Sequence, residues 1–391
     1  MRSLVQKRHA SVMPSVFVSF VLLSFHSYFI LYINSTFIEQ FVSAERVGLL
    51  FSAGALLTLI LLFLGPYLIK TLGTYYLTII LLIIEFLAVG LLTFTKITPV
   101  ILILFVIYRG VLASLFYFFD LYLESASTNE SNTGKIRGLY LALSNTALII
   151  SPSIAALLLG EDNFSRVYIA SSLFIIPTLL IVIRNLKQES LNISVPRGIL
   201  KAIPAFRKNR NLRNILFARM LLNIFYVAMV VYVPVYLSQE LGFSWKEIGF
   251  MLTIMLLPFA LLQFPAGYLA DKKYGEQELL IFGFIFIATS TLIFSFIGTP
   301  NFFLITLIMF MSRVGASLVE IMTESYFFKQ VDGDDANIIS VFRATDPMSY
   351  LIGPLLGSLA LAYMSYEAMF GILGLLMYIG IIFALRIKDS R

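Results

Sequence analysis

The sequence contains no cysteine. That excludes a disulfide framework, a thiolate metal site and a thiol nucleophile. Histidine is nearly as scarce. His9 and His26 are the only two in 391 residues, which excludes a His-rich metal site. Charge is also thin, with Asp, Glu, Lys and Arg at 13% of the chain, against roughly 25% in a soluble domain. No Gly-x-x-x-x-Gly-Lys-[Ser/Thr] phosphate loop occurs, so nothing in the chain supports an ATP-driven pump. What is abundant is apolar surface: 59% of residues are hydrophobic and the mean hydropathy is +0.91. A soluble globular domain averages roughly 45–50% apolar residues, so that class is excluded too.

The apolar residues fall into twelve runs, near 13–34, 46–66, 73–95, 98–121, 138–160, 165–185, 214–237, 247–269, 278–298, 301–326, 338–362 and 366–386. A helix needs roughly 20 residues to cross the hydrocarbon core, where backbone polar groups must be satisfied within the segment. The runs are continuous rather than alternating, which excludes a β-barrel. The basic start, Met1 to Arg8, imitates a secretory signal. The run after it is too long for one and lacks a small-residue cleavage site, so it is expected to be a retained first span. The expected fold class is an all-α integral membrane protein of twelve transmembrane helices.

Charge placement sets the expected orientation. With the N-terminus inside, the inner segments carry 20 of the 28 Lys and Arg residues, and the outer loops carry four: Arg46, Lys96, Arg166 and Lys246. Cytoplasmic loops are the basic ones in membrane proteins, so both termini are expected in the cytoplasm. The net charge of +6 then reflects topology and some affinity for anionic membrane lipid, with no nucleic-acid partner. The longest break, 187–213, holds seven basic residues and is expected to be a solvated linker. It separates an N-terminal bundle, 1–186, from a C-terminal bundle, 214–391.

The two halves read as copies. Gly65, Lys70 and Gly73 recur as Gly267, Lys272 and Gly275, at an offset of 202. Arg109 and Arg313 sit mid-run in spans four and ten, 204 apart, and each is followed eleven residues later by an acid, Asp120 or Glu324. Ser151-Pro152 and Gly353-Pro354 return to 202. Four matches in one order argue for duplication of a six-helix unit, the parallel-repeat pattern of transporters.

Twelve spans in a six-plus-six arrangement, a basic central loop and these motifs resemble the major facilitator superfamily, over essentially the whole chain. The most specific piece is Gly267-x-x-x-Asp271-Lys272-x-Tyr274-Gly275, which looks like the family's loop signature. Ile69 replaces the acid in the first-half copy. Arg109 with Gly110 and Ala113-Ser114 loosely resembles the span-four motif of drug/proton antiporters, and the two x-Pro pairs faintly resemble the family's Gly-Pro antiporter motif. The resemblance implies two pseudo-symmetric bundles, multi-pass placement in the cell membrane and a monomer. It also implies a gate at the inner face. Glu324 lies eleven residues past Arg313, about 16 Å along a helix, which predicts a latch of Asp271, Lys272 and Glu324.

A charge at the bilayer centre costs roughly 2.5–3.5 kcal/mol on insertion scales, so each one calls for a reason. Phe310, Arg313, Ser317, Glu320 and Glu324 are spaced 3, 4, 3, 4 and share one helix face. Arg109, Phe116 and Asp120 form a sparser face in span four, and Arg343, Asp346 and Tyr350 another in span eleven. Span seven offers Arg219, Asn223 and Tyr226, and span one His26. The expected translocation residues are Arg109, Arg313, Ser317, Glu320, His26 and Asn223. Arg219 is expected to reach back to the cytoplasmic water, and Arg343 to pair with Asp346. Glu85 lies mid-span three, a peripheral helix by the family resemblance, and no role is assigned to it. Glu320 is the expected proton carrier, because burial favours a protonated carboxyl and a neighbouring arginine opposes it.

The expected function is secondary active transport of a small-molecule substrate by alternating access, coupled to protons, with export of a small organic or drug-like molecule as the leading direction. The two midplane arginines suit an organic anion as the alternative. A membrane-embedded enzyme finds no convergent acid, base and nucleophile here. A non-transporting receptor stays open at this point. No cofactor is expected.

Overall fold

A computed structural model describes residues 2–126, 130–160, 163–187, 199–331 and 336–387. Within those ranges the side chains of 2–12, 124–126, 130–141, 199–203, 271, 273 and 336–337 lie outside the description. The described chain is helical throughout, as its long apolar runs require. Contacts group it into two compact units, one of residues 1–41 and 53–195, the other of 42–52 and 196–391.

The first unit holds α1 (Arg2–Leu31), the short α2 (Asn34–Glu39), most of α3 (Ala44–Phe94), α4 (Thr98–Ala126), α5 (Glu130–Leu159), α6 (Phe164–Leu173) and α7 (Ile175–Asn185). α1 is its hub and packs against α4, α5, α6 and α7. The expected spans two and three run together as the 51 residues of α3. Inside it Gly73 has φ 79° and ψ 151°, so two helices meet there. Span six is the pair α6 and α7, interrupted at Phe174.

The second unit holds α8 (Ile199–Lys208), α9 (Arg210–Val231), α10 (Val233–Val235) with a following π-turn Tyr236–Glu240, α11 (Trp245–Leu261) and α12 (Gln263–Leu269) with a π-turn Ala270–Tyr274. After these come α13 (Glu276–Phe294), α14 (Phe302–Gln330), α15 (Ala336–Arg343), α16 (Thr345–Leu361) and α17 (Tyr366–Leu385). α13 packs between α14 and α17, while α9 packs against α16. Part of the stretch expected to be a solvated linker is the helix α8, which lies on α15 and buries Phe206 to 5% exposure.

Among the described residues, ten helices are long and apolar enough to cross a membrane. One of these is the kinked α3, which contains two expected spans, and expected span eleven is the 17-residue α16 with α15 before it. Helix starts carry the residues their orphan N–H groups need. Ser244 and Glu247 form a capping box on α11, Asn301 Oδ1 accepts from Leu304 N at 3.0 Å, and Ser365 caps α17. The outward faces are apolar: Phe63, Phe264, Phe296 and Phe303 are all more than 80% exposed. Water would penalise such a surface and lipid does not.

The loop glycines at offset 202 share one conformation. Gly275 has φ 87° and ψ 167°, close to Gly73. That region is open essentially to glycine alone, so the repeat seen in the sequence is a repeat of backbone geometry. Lys70 is exposed three residues before Gly73, and Lys272 is exposed three before Gly275.

Candidate functional site in the second unit

Five helices of the second unit bring their polar residues together. α14 contributes Arg313, Glu320 and Glu324 from the single face that the spacing implies. α9 contributes Arg219, Asn223 and Tyr226, α12 contributes Gln263, and the α15–α16 junction contributes Arg343, Thr345 and Asp346. Ala344 separates α15 from α16 with φ -67° and ψ -12°, and helical bonds still run from Ala344 N to Ser340 O and from Met348 N to Ala344 O.

Arg219 is the centre of the cluster. It is 6% exposed, with Nη1 3.8 Å from Glu320 Oε1 and 3.6 Å from Glu324 Oε1, and Nη2 3.9 Å from Asp346 Oδ1. Its guanidinium also lies 5.8 Å from the centre of the Phe342 ring. The expectation that it reaches for water is therefore corrected: three carboxylates of α14 and α16 converge on it inside the unit at ion-pair distance, while Nη1 has no hydrogen-bond partner among the described residues.

The expected Arg343–Asp346 pair is corrected as well. Arg343 donates to both oxygens of Glu324, at 2.6 and 3.2 Å. Such a two-point contact is the strong form of an arginine–carboxylate pair. Asp346 instead accepts from Asn223 Nδ2, which also donates to Thr345 Oγ1 at 3.1 Å.

Glu320 is held mainly by neutral donors. Tyr226 Oη donates to Oε2 at 3.2 Å and Gln263 Nε2 at 3.3 Å. Arg313, 2% exposed, stacks its guanidinium 5.0 Å from the Phe225 ring centre and 5.6 Å from that of Tyr226. Tyr226 therefore links Arg313 and Glu320, one at its ring face and the other at its hydroxyl. Ser317 is buried and spends its proton on Val314 O of its own helix.

The other expected residues lie elsewhere. Arg109 and His26 belong to the first unit. Gly54 lets α3 come so close to α4 that a Cβ there would lie 2.6 Å from Arg109 Cβ. Asp120 is exposed on α4. His26 is fully buried, with Glu85 as the partner that spacing along one helix could not supply. Of the loop motif, Gly65 and Gly267 sit in helices, and Lys272 Nζ lies 4.7 Å over the Tyr268 ring. The side chain of Asp271 lies outside the described residues. The acid that the structure places beside this loop is Glu276, 1% exposed and paired with Lys329 at the end of α14. Reasoning from spacing missed Arg219 as a centre with Asp346 beside it, along with Gln263 and Glu276. Only Glu276, directly after Gly275, left a local signal.

Among the described residues, ten helices long and apolar enough to cross a membrane, with no strand, and a buried charged network inside one helical unit define a multi-pass membrane transporter of the cell membrane. Residues 13–255 and 237–391 match the profile of the Major Facilitator Superfamily, and the chain belongs to that family. Two solved structures share the fold. One is the nucleoside transporter NupG, at 13% identity and a TM-score of 0.75, over 96% of this chain and 100% of that one. The other is a peptide transporter, POT, in complex with sulfate, at 11% identity and a TM-score of 0.78, over 97% of each chain. No curated protein sequence matches.

Proposed function

We propose that this chain is a proton-coupled secondary transporter of a small organic solute, working by alternating access of its two six-helix halves with both termini in the cytoplasm. The observation that carries this reading is the sharing of Arg219 among Glu320, Glu324 and Asp346. Protonating Glu320 leaves Arg219 two acidic neighbours, and Tyr226 and Gln263 stay in place beside the neutral carboxyl. A carboxylate whose neutralisation orphans nothing is suited to load and unload a proton. Glu324, tied to Arg343, serves in this reading as the inner latch together with Asp271 and Lys272. Export is the direction favoured by the resemblance of spans four and five to antiporter motifs.

A second reading, that the solute is an organic anion, is favoured by Arg313. Its Nε and Nη1 are buried with no hydrogen-bond partner among the described residues. An uncompensated buried charge costs several kcal/mol, against about 0.5–2 kcal/mol returned by each ring contact. A carboxylate or phosphate would satisfy that guanidinium. NupG is a nucleoside transporter and POT a peptide transporter by name, which is compatible with either reading.

The test is reconstitution into liposomes loaded with a pH-sensitive dye, challenged with nucleosides, peptides, organic anions and hydrophobic cations. A solute-specific pH change that Glu320→Gln abolishes supports the reading. A Glu320→Gln variant that still drives solute uphill against a proton gradient refutes it. Loss of the response to anions alone in Arg313→Met selects the anion reading, and an unchanged anion response overturns it.

A further inference from the structure

A charged cavity lies outside the network described above, where α8 and α17 of the second unit end and α9 begins. Its volume is about 700 Å³, and Lys208, Arg210 and Arg386 line it. Lys208 closes α8, Arg210 opens α9 and Arg386 follows α17. All three are exposed, as are Arg207 and Arg213 close to them in the chain. No acidic residue lines the cavity, and none of these five cations has an ion-pair partner among the described residues.

The backbone that presents these charges is held in place. Arg213 Nη1 reaches Arg207 O at 3.5 Å, from α9 to the last turn of α8. Gln277 Nε2 of α13 donates to Ala384 O and Ile387 O, at 3.2 and 3.1 Å, and so secures the end of α17. Phe217 of α9 and Phe383 of α17 stack with ring centres 5.3 Å apart, which joins the two helices next to the cavity. The first amides of α9 are already spent, because Asn209 Oδ1 accepts from Asn211 N and Leu212 N at 3.0 and 3.3 Å. What the cavity offers a ligand is therefore side-chain positive charge rather than a helix terminus. Like charges gathered without counter-ions repel one another, and a bound anion relieves that repulsion.

The rim selects the kind of anion. On α17, Ile379, Ile382 and Arg386 are spaced 3 and 4 and share one helix face, with Leu385 beside them. The three apolar side chains are exposed. On α9, Arg210, Arg213 and Phe217 repeat that spacing, and Phe217 is exposed as well. Each face thus runs from exposed apolar side chains to cations at the helix end. A free phosphate would use the cations alone. An amphiphile with an anionic head uses both, and basic pockets between membrane helices hold such heads. We propose that this cavity binds the phosphate headgroup of an anionic membrane lipid, whose acyl chains lie along Ile379, Ile382 and Leu385. The assignment rests on the membrane placement of the chain and is independent of proton coupling, solute and direction.

The test is lipid binding to the full-length protein in detergent, read by native mass spectrometry with phosphatidylglycerol and phosphatidylcholine in turn. The expected result is tighter binding of the first phosphatidylglycerol. Lys208→Gln, Arg210→Gln and Arg386→Gln should each weaken it about fivefold, the usual contribution of one cation at an anionic lipid surface. Phosphatidylcholine binding by the same variants should stay at the wild-type level, which also checks that they fold. Lys96→Gln and Arg166→Gln remove equally exposed cations from the first unit and should leave phosphatidylglycerol binding unchanged. Equal affinity for the two lipids overturns the proposal, as does undiminished phosphatidylglycerol binding in all three cavity variants. An equal loss in Lys96→Gln and Arg166→Gln overturns it too, since net charge would then suffice. Displacement of the lipid by millimolar glycerol 3-phosphate would make this a site for soluble phosphates and refute the lipid assignment. No readout involves solute flux, so the proposal and the transport reading stand or fall separately.

Discussion

Replacing Arg219 with methionine removes the cation that three carboxylates share while keeping most of the side-chain volume. At 3.6–3.9 Å, each charge pair is worth about 4 kcal/mol before desolvation, at an effective dielectric constant of 20. The three are not equally dependent on it. Glu324 keeps its two bonds from Arg343, and Asp346, with its side chain 50% exposed, keeps Asn223 and water. Glu320, 28% exposed, is left with only neutral donors. The expected loss is therefore at the low end of the ~3–5 kcal/mol seen on breaking a buried pair. Adding Glu320→Gln to Arg219→Met should return about 1–3 kcal/mol, the usual coupling of contacting groups. The assay is thermal unfolding in detergent for the wild type, both single variants and the double, followed through Trp245, the one tryptophan. An arginine that merely reached for water would give a change within about 0.5 kcal/mol. That result, or strictly additive shifts in the double variant, would refute the account of Arg219 as the centre of the network.

Gly275→Ala and Gly73→Ala should each destabilise by about 1–3 kcal/mol, because alanine is forced into glycine-only backbone geometry; melting temperatures equal to wild type would show the loops relax freely. Gly54→Val should separate α3 from α4 at Arg109 and cost about 1–3 kcal/mol by overpacking. Cross-linking between cysteines placed on the two helices reads the spacing, and an unchanged yield counts against the close approach. Ser244→Ala should lose the capping box of α11 and about 0.5–2 kcal/mol, visible as faster amide exchange in the first turn, whereas unchanged exchange would mean that Glu247 alone suffices. Phe342→Ala removes a ring stacked 4.0 Å from Phe327 and the face beneath Arg219. It should cost about 3–5 kcal/mol, and a melting temperature that does not move would argue against that packing.

What the sequence by itself determined was whatever repeats along one helix or depends on one residue's own conformational freedom. Long apolar runs dictate spanning helices because lipid offers backbone groups no partners. The spacing of Arg313, Ser317, Glu320 and Glu324 places them on one face because a helix turns every 3.6 residues. The paired glycines marked the two tight loops because only glycine adopts that geometry at little cost. Tertiary structure alone decided which faces meet. Arg219 is a plausible snorkelling arginine from its place in α9, and it is a buried centre only because α14 and α16 turn their acids toward it. Arg343 looks like the partner of Asp346 from its place in the sequence, and it meets Glu324 of another helix instead. Glu85 had no partner within its own helix, and His26 had none in its own. Their meeting depends on how α1 and α3 are rotated about their axes, which the periodicity of neither helix specifies.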